Sequence, residues 1–231
     1  MLLFPAGIDA KINASTPCIR TPLGSLSMTV HTSNGNVLDD KGVAVRVLPS
    51  GAFVYSSKNK HVEVEILQVV LPLPEPRFGV VDGYEAFVIR VRALESIDNL
   101  SIACRWTQLP VDATNGPESG ECLDAQTWET SSTRVTIGTQ DGETLAGRAK
   151  RGERLPAHLQ TVFGLDTVIY LADGLSVPIP NLNQGELCQI HFIVAWAPQR
   201  INNDVATWLA VDREPEFILE QAGCADHLIF K

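Results

Sequence analysis

The sequence lacks most of the patterns that identify a function class. None of its five cysteines forms a C-x-x-C pair, and no histidine belongs to an H-x-H or H-E-x-x-H pattern. These absences leave a metal site without support, and we expect neither a metal nor a cofactor. A nucleophile elbow of the form G-x-S-x-G and a glycine-rich phosphate loop are also missing, so the sequence offers no known catalytic motif.

Basic residues are scarce. Lysine and arginine total 18 against 27 acidic residues, which gives a net charge of −9. Nucleic acids and anionic membranes need a basic face on their partners, so the charge argues against both. The chain also has no apolar run approaching the roughly 20 residues of a membrane span. We therefore expect a small-molecule ligand as the partner, and the oligomeric state stays open.

Features of a secreted protein are equally scarce. The opening "MLLFPAGID" is a short apolar run without a basic start, and Pro5 interrupts it, unlike a secretory signal. The odd number of cysteines leaves at least one unpaired, and Cys104 and Cys188 fall on apolar strand faces, where a reduced cysteine behaves as a small hydrophobe. We expect a reduced, cytoplasmic protein.

A two-residue period dominates the chain, whereas helical periodicity is nearly absent before its last part. Turn signals such as Asn34-Gly35 and Asp82-Gly83 separate the alternating segments. Near the C-terminus, Pro215 and the acidic residues before a final Gly223 mark a short helix. The predicted strands are 25–32, 42–48, 52–56, 61–71, 84–94, 99–106, 132–138, 166–172 and 187–197, and the predicted helix is 213–222.

The predicted architecture is all-β: one domain spanning residues 1–231, built as a large antiparallel β-sandwich of two sheets with one short C-terminal helix. A chain of 231 residues is normal for such a sandwich and can bury a core without disulfides. The proline- and glycine-rich stretches 110–130 and 146–158 are predicted as long loops, which often carry function.

One predicted face is mixed in character. The strands 61–71 and 84–94 carry charged side chains opposite an apolar face: His61, Glu63, Glu65, Arg90 and Arg92. In one interpretation, the glutamates pair with the arginines across strands on a wet surface. In the other, the same groups line a concave site in which carboxylates and guanidinium groups orient a hydroxyl-rich ligand.

The strand 187–197 adds a histidine to this face. Its apolar side runs from Cys188 to Trp196 and should pack on the other sheet, which places His191 on the outer surface. An ordinary surface histidine is the simpler interpretation. A catalytic site would instead pair His191 with Glu65, because a base near neutral pH needs a histidine or a carboxylate raised by burial. Glu65 is preferred to Glu63 since it lies where the face turns apolar.

An aromatic side chain could complete such a site. Trp128 lies near the end of the predicted loop 110–130 and has Asp124 and Glu129 nearby. A tryptophan there can stack on a ligand above the mixed face, or it can simply anchor the loop.

Two segments resemble a known domain. The run "HVEVEILQVVLPLPEPRFGVVDGYEAFVIRVRALESIDNLSIACRWTQLP" and the run "LNQGELCQIHFIVAWAP" are similar to the supersandwich domain, also found in galactose mutarotases, that stands beside the helical barrel of several glycoside hydrolases. The likeness covers residues 60–110 and 180–198, about a third of the chain. Because these are core and turn positions, the resemblance implies the fold more than the function.

The resemblance carries no catalytic residue over. In those hydrolases the acid and base lie on the helical barrel, which this sequence lacks, and the histidine and glutamate motif of the mutarotases cannot be placed on it. Two function classes follow, beside the simpler possibility of an interaction module that binds no ligand. The first is a carbohydrate-recognising or carbohydrate-processing protein, as the resemblance implies. The second is a cofactor-free isomerase or cyclase that acts on an apolar molecule by positioning it beside an acid or base.

Overall fold

The computed structural model describes residues 3–9, 16–39, 43–76, 79–199 and 204–224. Within them, two antiparallel sheets pack face to face, one of nine strands and one of six. All nine predicted strands are present, because strict alternation of apolar and polar residues matches the two-residue period of a pleated strand. The all-β sandwich is confirmed.

The nine-stranded sheet contains the three strands that carry the predicted ligand face. Its central strand is β8 (Gly83–Ala93), which lies between β7 (Val62–Val70) and β15 (Leu187–Pro198). The strands run across the sheet in the order β1 (Ile8–Asp9), β5 (Ala44–Val47), β6 (Phe53–Lys58), β7 (Val62–Val70), β8 (Gly83–Ala93), β15 (Leu187–Pro198), β12 (Thr133–Gln140), β11 (Leu123–Glu129) and β10 (Thr114–Ser119).

The six-stranded sheet includes a strand that the sequence hides. Its path is β13 (Ile169–Leu171), β14 (Gly174–Leu182), β9 (Ile97–Trp106), β3 (Gly24–Thr32) and β2 (Cys18–Thr21), and the short β4 (Gly35–Asn36) pairs with β3. Pro178 and Pro180 concealed β14. Both prolines lie beyond the residues of β14 that pair with β13, so their missing N–H groups fall on a free edge.

Two separate cores form on the two faces of the nine-stranded sheet. The central core fills the space between the sheets and includes Phe87, Trp128 and Phe192. A second, helix-side core covers the opposite face and includes Val88 and Ile193. The outer face of this sheet is therefore largely shielded from solvent.

Three α-helices are present in the described residues, not one. Helix α3 (Pro215–Gln221) confirms the predicted C-terminal helix, and α2 (Asp204–Val211) precedes it. Helix α1 (Gly142–Arg151) corrects the loop prediction at 146–158. Its N-terminal cap is Asp141, whose carboxylate accepts a hydrogen bond from the Thr144 amide at 2.7 Å. An Asp-Gly pair signals a hairpin turn, but here it begins a helix.

The predicted loop at 110–130 is also wrong. This segment forms the hairpin of β10 and β11, in which Asn115 pairs with Trp128 and Ser119 with Asp124. Its glycines and proline resemble a loop because β10 is the last strand of the sheet, where a proline costs little pairing. No helix in the described part of the chain is long and apolar enough to cross a membrane.

Candidate functional site

The predicted ligand face, formed by β7, β8 and β15, is largely covered. Helix α2 packs against β12 and β15, and α3 packs against β8. At the other end, the N-terminal segment places the ring of Phe4 4.0 Å from the guanidinium carbon of Arg90. A ligand cannot reach most of this face without displacing protein.

Glu65 anchors the N-terminal segment to the sheet. Its carboxylate accepts hydrogen bonds from the amide of Phe4 at 2.7 Å, from the hydroxyl of Ser56 at 3.1 Å, and from Arg46 at 2.9 and 3.0 Å. The side chain is only 3% exposed. The prediction that Glu65 lies where the face turns dry holds, but the carboxylate is fully hydrogen-bonded inside the protein. That environment fits a structural role.

The two arginines of β8 have different environments. Arg92 forms an ion pair with Glu63 at 2.9 Å, as the cross-strand interpretation predicted. Arg90 lies opposite Glu65 in the strand register, but it donates to the side chain of Gln189 at 2.8 Å and to the carbonyl of Leu3. Arg46 takes its place beside the glutamate, since it reaches Glu65 from β5.

His191 is buried, which corrects its predicted surface position. Its Nε2 lies 3.0 Å from the carbonyl oxygen of Arg213, in the connection between α2 and α3. Burial, reinforced by the nearby positive charge of Arg148, lowers the pKa of His191 to about 3. The ring is neutral at physiological pH, and with a carbonyl as partner its Nε2 carries the proton. The helices that bury it follow late in the chain, so the strand pattern could not reveal them.

Polar and charged side chains near His191 connect the helices that cover it to the sheet. Arg148 on α1 donates to the side chain of Gln140 at 2.6 Å. The amide of Gln140 donates in turn to the carboxylate of Glu214, which precedes α3. This chain of contacts joins α1, β12 and the start of α3, and it explains why polar residues occupy a buried face.

The remaining predicted ligands lie apart from each other. His61 contacts the carboxylate of Glu95 through its Nδ1 at the edge of β7. Trp128 is only 1% exposed and packs edge-on against Trp106, with ring centroids 5.6 Å apart in the central core. The expected stacking role fails because Trp128 belongs to a strand and faces inward opposite Val135. The structure does not bring these residues together with His191.

A cleft that the sequence did not indicate opens beside the helices. We call it the helix cleft. Its two cavities share Pro74 and Arg213, and they measure about 360 and 380 Å³. The first, the α2 cavity, is lined by Pro74, Glu75, Gly79, Val81, Ala206, Leu209, Ala210, Asp212 and Arg213. The second, the Tyr84 cavity, is lined by Pro72, Leu73, Pro74, Tyr84, Arg213 and Phe217.

Tyr84 gives the second cavity an unusual polar group. The residue is only 2% exposed, and within the described residues its hydroxyl makes no hydrogen bond of normal geometry. Burial raises the pKa of Tyr84 to about 12, although the neighbouring Arg213 opposes the shift. The phenol therefore stays protonated at neutral pH and can donate a hydrogen bond.

The walls of the cleft come from two parts of the chain. Pro72 and Pro74 have fixed backbone φ angles and form a stiff wall directly after β7. The opposite wall is the α2–α3 region, where the guanidinium group of Arg213 lies 5.9 Å from the ring of Phe217. Alternating prolines were the one available signal, but a proline-rich turn alone cannot reveal what packs against it.

Comparisons with known proteins define the fold. No family model matches the chain, and no curated protein does. Among solved structures, a candidate kojibiose phosphorylase from the human microbiome matches at 8% identity with a TM-score of 0.51, over 85% of this chain and 26% of that chain. A bacterial glucoamylase complexed with acarbose matches at 8% identity with a TM-score of 0.47, over 92% of this chain and 32% of that chain.

The first of these matches shows the fold and agrees with the resemblance to the supersandwich domain. Both neighbours are carbohydrate-processing enzymes by name. This chain spans about a quarter of the length of the first and about a third of the second. A shared fold at such low identity does not transfer an activity or a site.

Proposed function

We propose that this chain is a small-ligand-binding β-sandwich protein that recognises a carbohydrate in the helix cleft. The observation that carries the proposal is the mixed lining of the cleft. Arg213 and Tyr84 supply hydrogen-bond donors, whereas Glu75 and Asp212 supply acceptors. A hydroxyl-rich molecule needs both kinds of partner, since each hydroxyl donates and accepts.

Apolar surface supports the same proposal. Pro72, Leu73 and the ring of Phe217 line the Tyr84 cavity, and Leu209 lines the α2 cavity. A few convergent polar groups within apolar walls are typical of small-molecule sites. The name of the first structural neighbour refers to a disaccharide, kojibiose, which favours saccharides as the first ligands to test.

The alternative, an isomerase or cyclase, needs a group that exchanges a proton with the ligand. Glu65 is held by Arg46 and the N-terminal segment, and His191 is buried behind the backbone of Arg213. The raised pKa of Tyr84, about 12, keeps it protonated. No contact among the described residues favours this alternative, so we propose binding alone.

Calorimetric titration of the full chain with kojibiose, maltose and glucose tests the proposal. Asp212→Ala removes an acceptor from the cleft and should weaken saccharide binding by about tenfold, which corresponds to about 1.4 kcal/mol. Asp166→Ala is the matched control, because Asp166 is exposed and lies outside the helix cleft. Saccharide binding that survives Asp212→Ala unchanged, or no saccharide binding at all, would contradict the proposal.

A further inference from the structure

The Tyr84 cavity differs from the α2 cavity in the charge of its lining. Asp212 and Glu75 line the α2 cavity, whereas no carboxylate lines the Tyr84 cavity. The polar side chains of the Tyr84 cavity are Tyr84 and Arg213. The walls at this end of the cleft therefore carry no carboxylate, although the chain as a whole is acidic.

Both polar side chains in this cavity have unused donors. The Tyr84 hydroxyl is buried beside the guanidinium group of Arg213, and no group in the described part of the chain accepts its proton. Leaving a buried hydroxyl unsatisfied costs free energy, which an acceptor on a ligand can recover. The guanidinium group of Arg213 has only donors and never accepts, so it cannot take the proton of this hydroxyl.

Arg213 is held in place without neutralisation. Its side chain is exposed and lies against Phe217. No ion pair among the described residues uses its guanidinium group, and the other side chain that it contacts is the hydroxyl of Tyr84. The ring beneath it restricts the orientation of the guanidinium group, and a planar fork of N–H groups matches the two oxygens of a carboxylate.

We propose that the saccharide bound in the helix cleft carries a carboxylate, which Arg213 and Tyr84 hold in the Tyr84 cavity. The inference rests on the proposed function and specifies the ligand as an acidic sugar of the uronic acid type. The hydroxyl-bearing part of the ligand then lies in the α2 cavity, where Asp212 accepts its hydrogen bonds. The two ends of the cleft thus select the two ends of the ligand.

Calorimetric titration with glucuronate, glucose, benzoate and glucose 6-phosphate tests the inference on the full chain. We expect glucuronate to bind at least tenfold more tightly than glucose, and added salt to weaken glucuronate binding more than glucose binding. Arg213→Gln should reduce this preference to less than about threefold by removing the charge that pairs with the carboxylate. Arg151→Gln, which changes an exposed arginine outside the cleft, should leave it unchanged.

Tyr84→Phe provides a second test that is independent of charge. It removes only the hydroxyl, so glucuronate binding should weaken several-fold. Because no group in the described residues accepts the proton of that hydroxyl, the thermal unfolding temperature of the free protein should fall by no more than a small amount. A large loss of stability would mean that the hydroxyl serves the fold, and the inference would fail.

The four ligands separate this inference from the proposed function. Equal binding of glucose and glucuronate overturns the carboxylate site and leaves carbohydrate recognition intact. Tight binding of benzoate without glucuronate supports an acid-binding cavity but overturns carbohydrate recognition. Tighter binding of glucose 6-phosphate than of glucuronate overturns the choice of a carboxylate over a phosphate. Absence of binding by all four overturns both proposals.

Discussion

The strands of both sheets alternate polar and apolar residues, but the polar outer face is buried on one sheet and partly exposed on the other. On the nine-stranded sheet, the polar positions of β7, β8 and β15 include Glu65, Arg90 and His191, all of them buried. On the six-stranded sheet, the outer positions of β3 and β9 include Ser27 and Ser101, which remain partly exposed.

The two faces use polar residues differently. Buried charges need partners, and Glu65 and Arg90 each contact the N-terminal segment as well as a neighbouring strand. On the other sheet, Ser101 shares one hydrogen bond with Ser176 at 2.8 Å, and both Ser27 and Ser101 remain accessible to water. The comparison teaches that alternation identifies a polar face. The size and charge of the residues on that face decide how many hydrogen-bond partners a covering segment must supply.

Removing the acidic partner of an arginine on each face should give the largest difference in the free energy of unfolding between the two sheets. Glu65→Ala leaves Arg46 buried without its carboxylate, and we expect a loss of about 3–5 kcal/mol in the free energy of unfolding. Asp173→Ala breaks the 2.7 Å ion pair with Arg105 on the six-stranded sheet. That pair is partly exposed, so the expected loss is below about 1 kcal/mol. Urea unfolding of both variants measures the difference, and equal losses would contradict it.

Two threonines offer an intermediate test by the same isosteric change. The hydroxyl of Thr207 on α2 accepts hydrogen bonds from Arg134 at 3.1 Å and from Thr136 at 2.8 Å. Thr207→Val should cost about 1–3 kcal/mol, because it leaves buried donors without an acceptor. Thr29 on β3 has a buried hydroxyl without a partner in the described residues, so Thr29→Val should be neutral or slightly stabilising. Thermal unfolding that ranks the two variants in the opposite order would show that α2 is not held by these contacts.

The pH dependence of stability should show the smallest effect over any single pH unit. In the unfolded chain a histidine titrates near pH 6.5, whereas burial lowers the pKa of His191 to about 3 in the folded protein. Between these values the unfolded chain binds a proton that the folded protein excludes. His191 therefore reduces stability as the pH falls through this window, by at most about 1.4 kcal/mol per pH unit.

His191→Gln keeps an N–H donor for the Arg213 carbonyl and removes the titrating ring. Its unfolding free energy should fall less steeply than that of the wild type between pH 7 and pH 5. His31→Gln is the matched control, since His31 is exposed on the outer side of β3. Parallel pH curves for His191→Gln and the wild type would mean that the ring is not buried as neutral imidazole.

The strands could be predicted and the contacts of the site residues could not, because the two depend on residues at different separations along the chain. Residues within a strand determine its two-residue period, so β8 and β15 could be predicted within one residue. Partners distant in sequence determine a site. Glu65 bonds to Arg46 across 19 positions and to Phe4 across 61, and no local pattern indicates either contact.

Two elements were missed because their signals were ambiguous. Asp141-Gly142 fits both a hairpin turn and a helix start, and the difference depends on whether Leu145 and Ala149 find a core to enter. The segment of β10 contains Gly116 and Pro117, which indicate a loop unless a neighbouring strand pairs with them. In both cases local preference was weak and tertiary packing decided the outcome.

The sequence by itself determined that this protein is a β-sandwich, and it determined which side of the long predicted strands enters the central core. Alternation settles both because it repeats over many residues in every long strand. Only the tertiary structure decided that α2, α3 and the N-terminal segment cover the mixed face, and that a cleft opens at Pro72, Tyr84 and Arg213. Those residues are far apart in the chain, and a cavity between them exists only once the segments have packed.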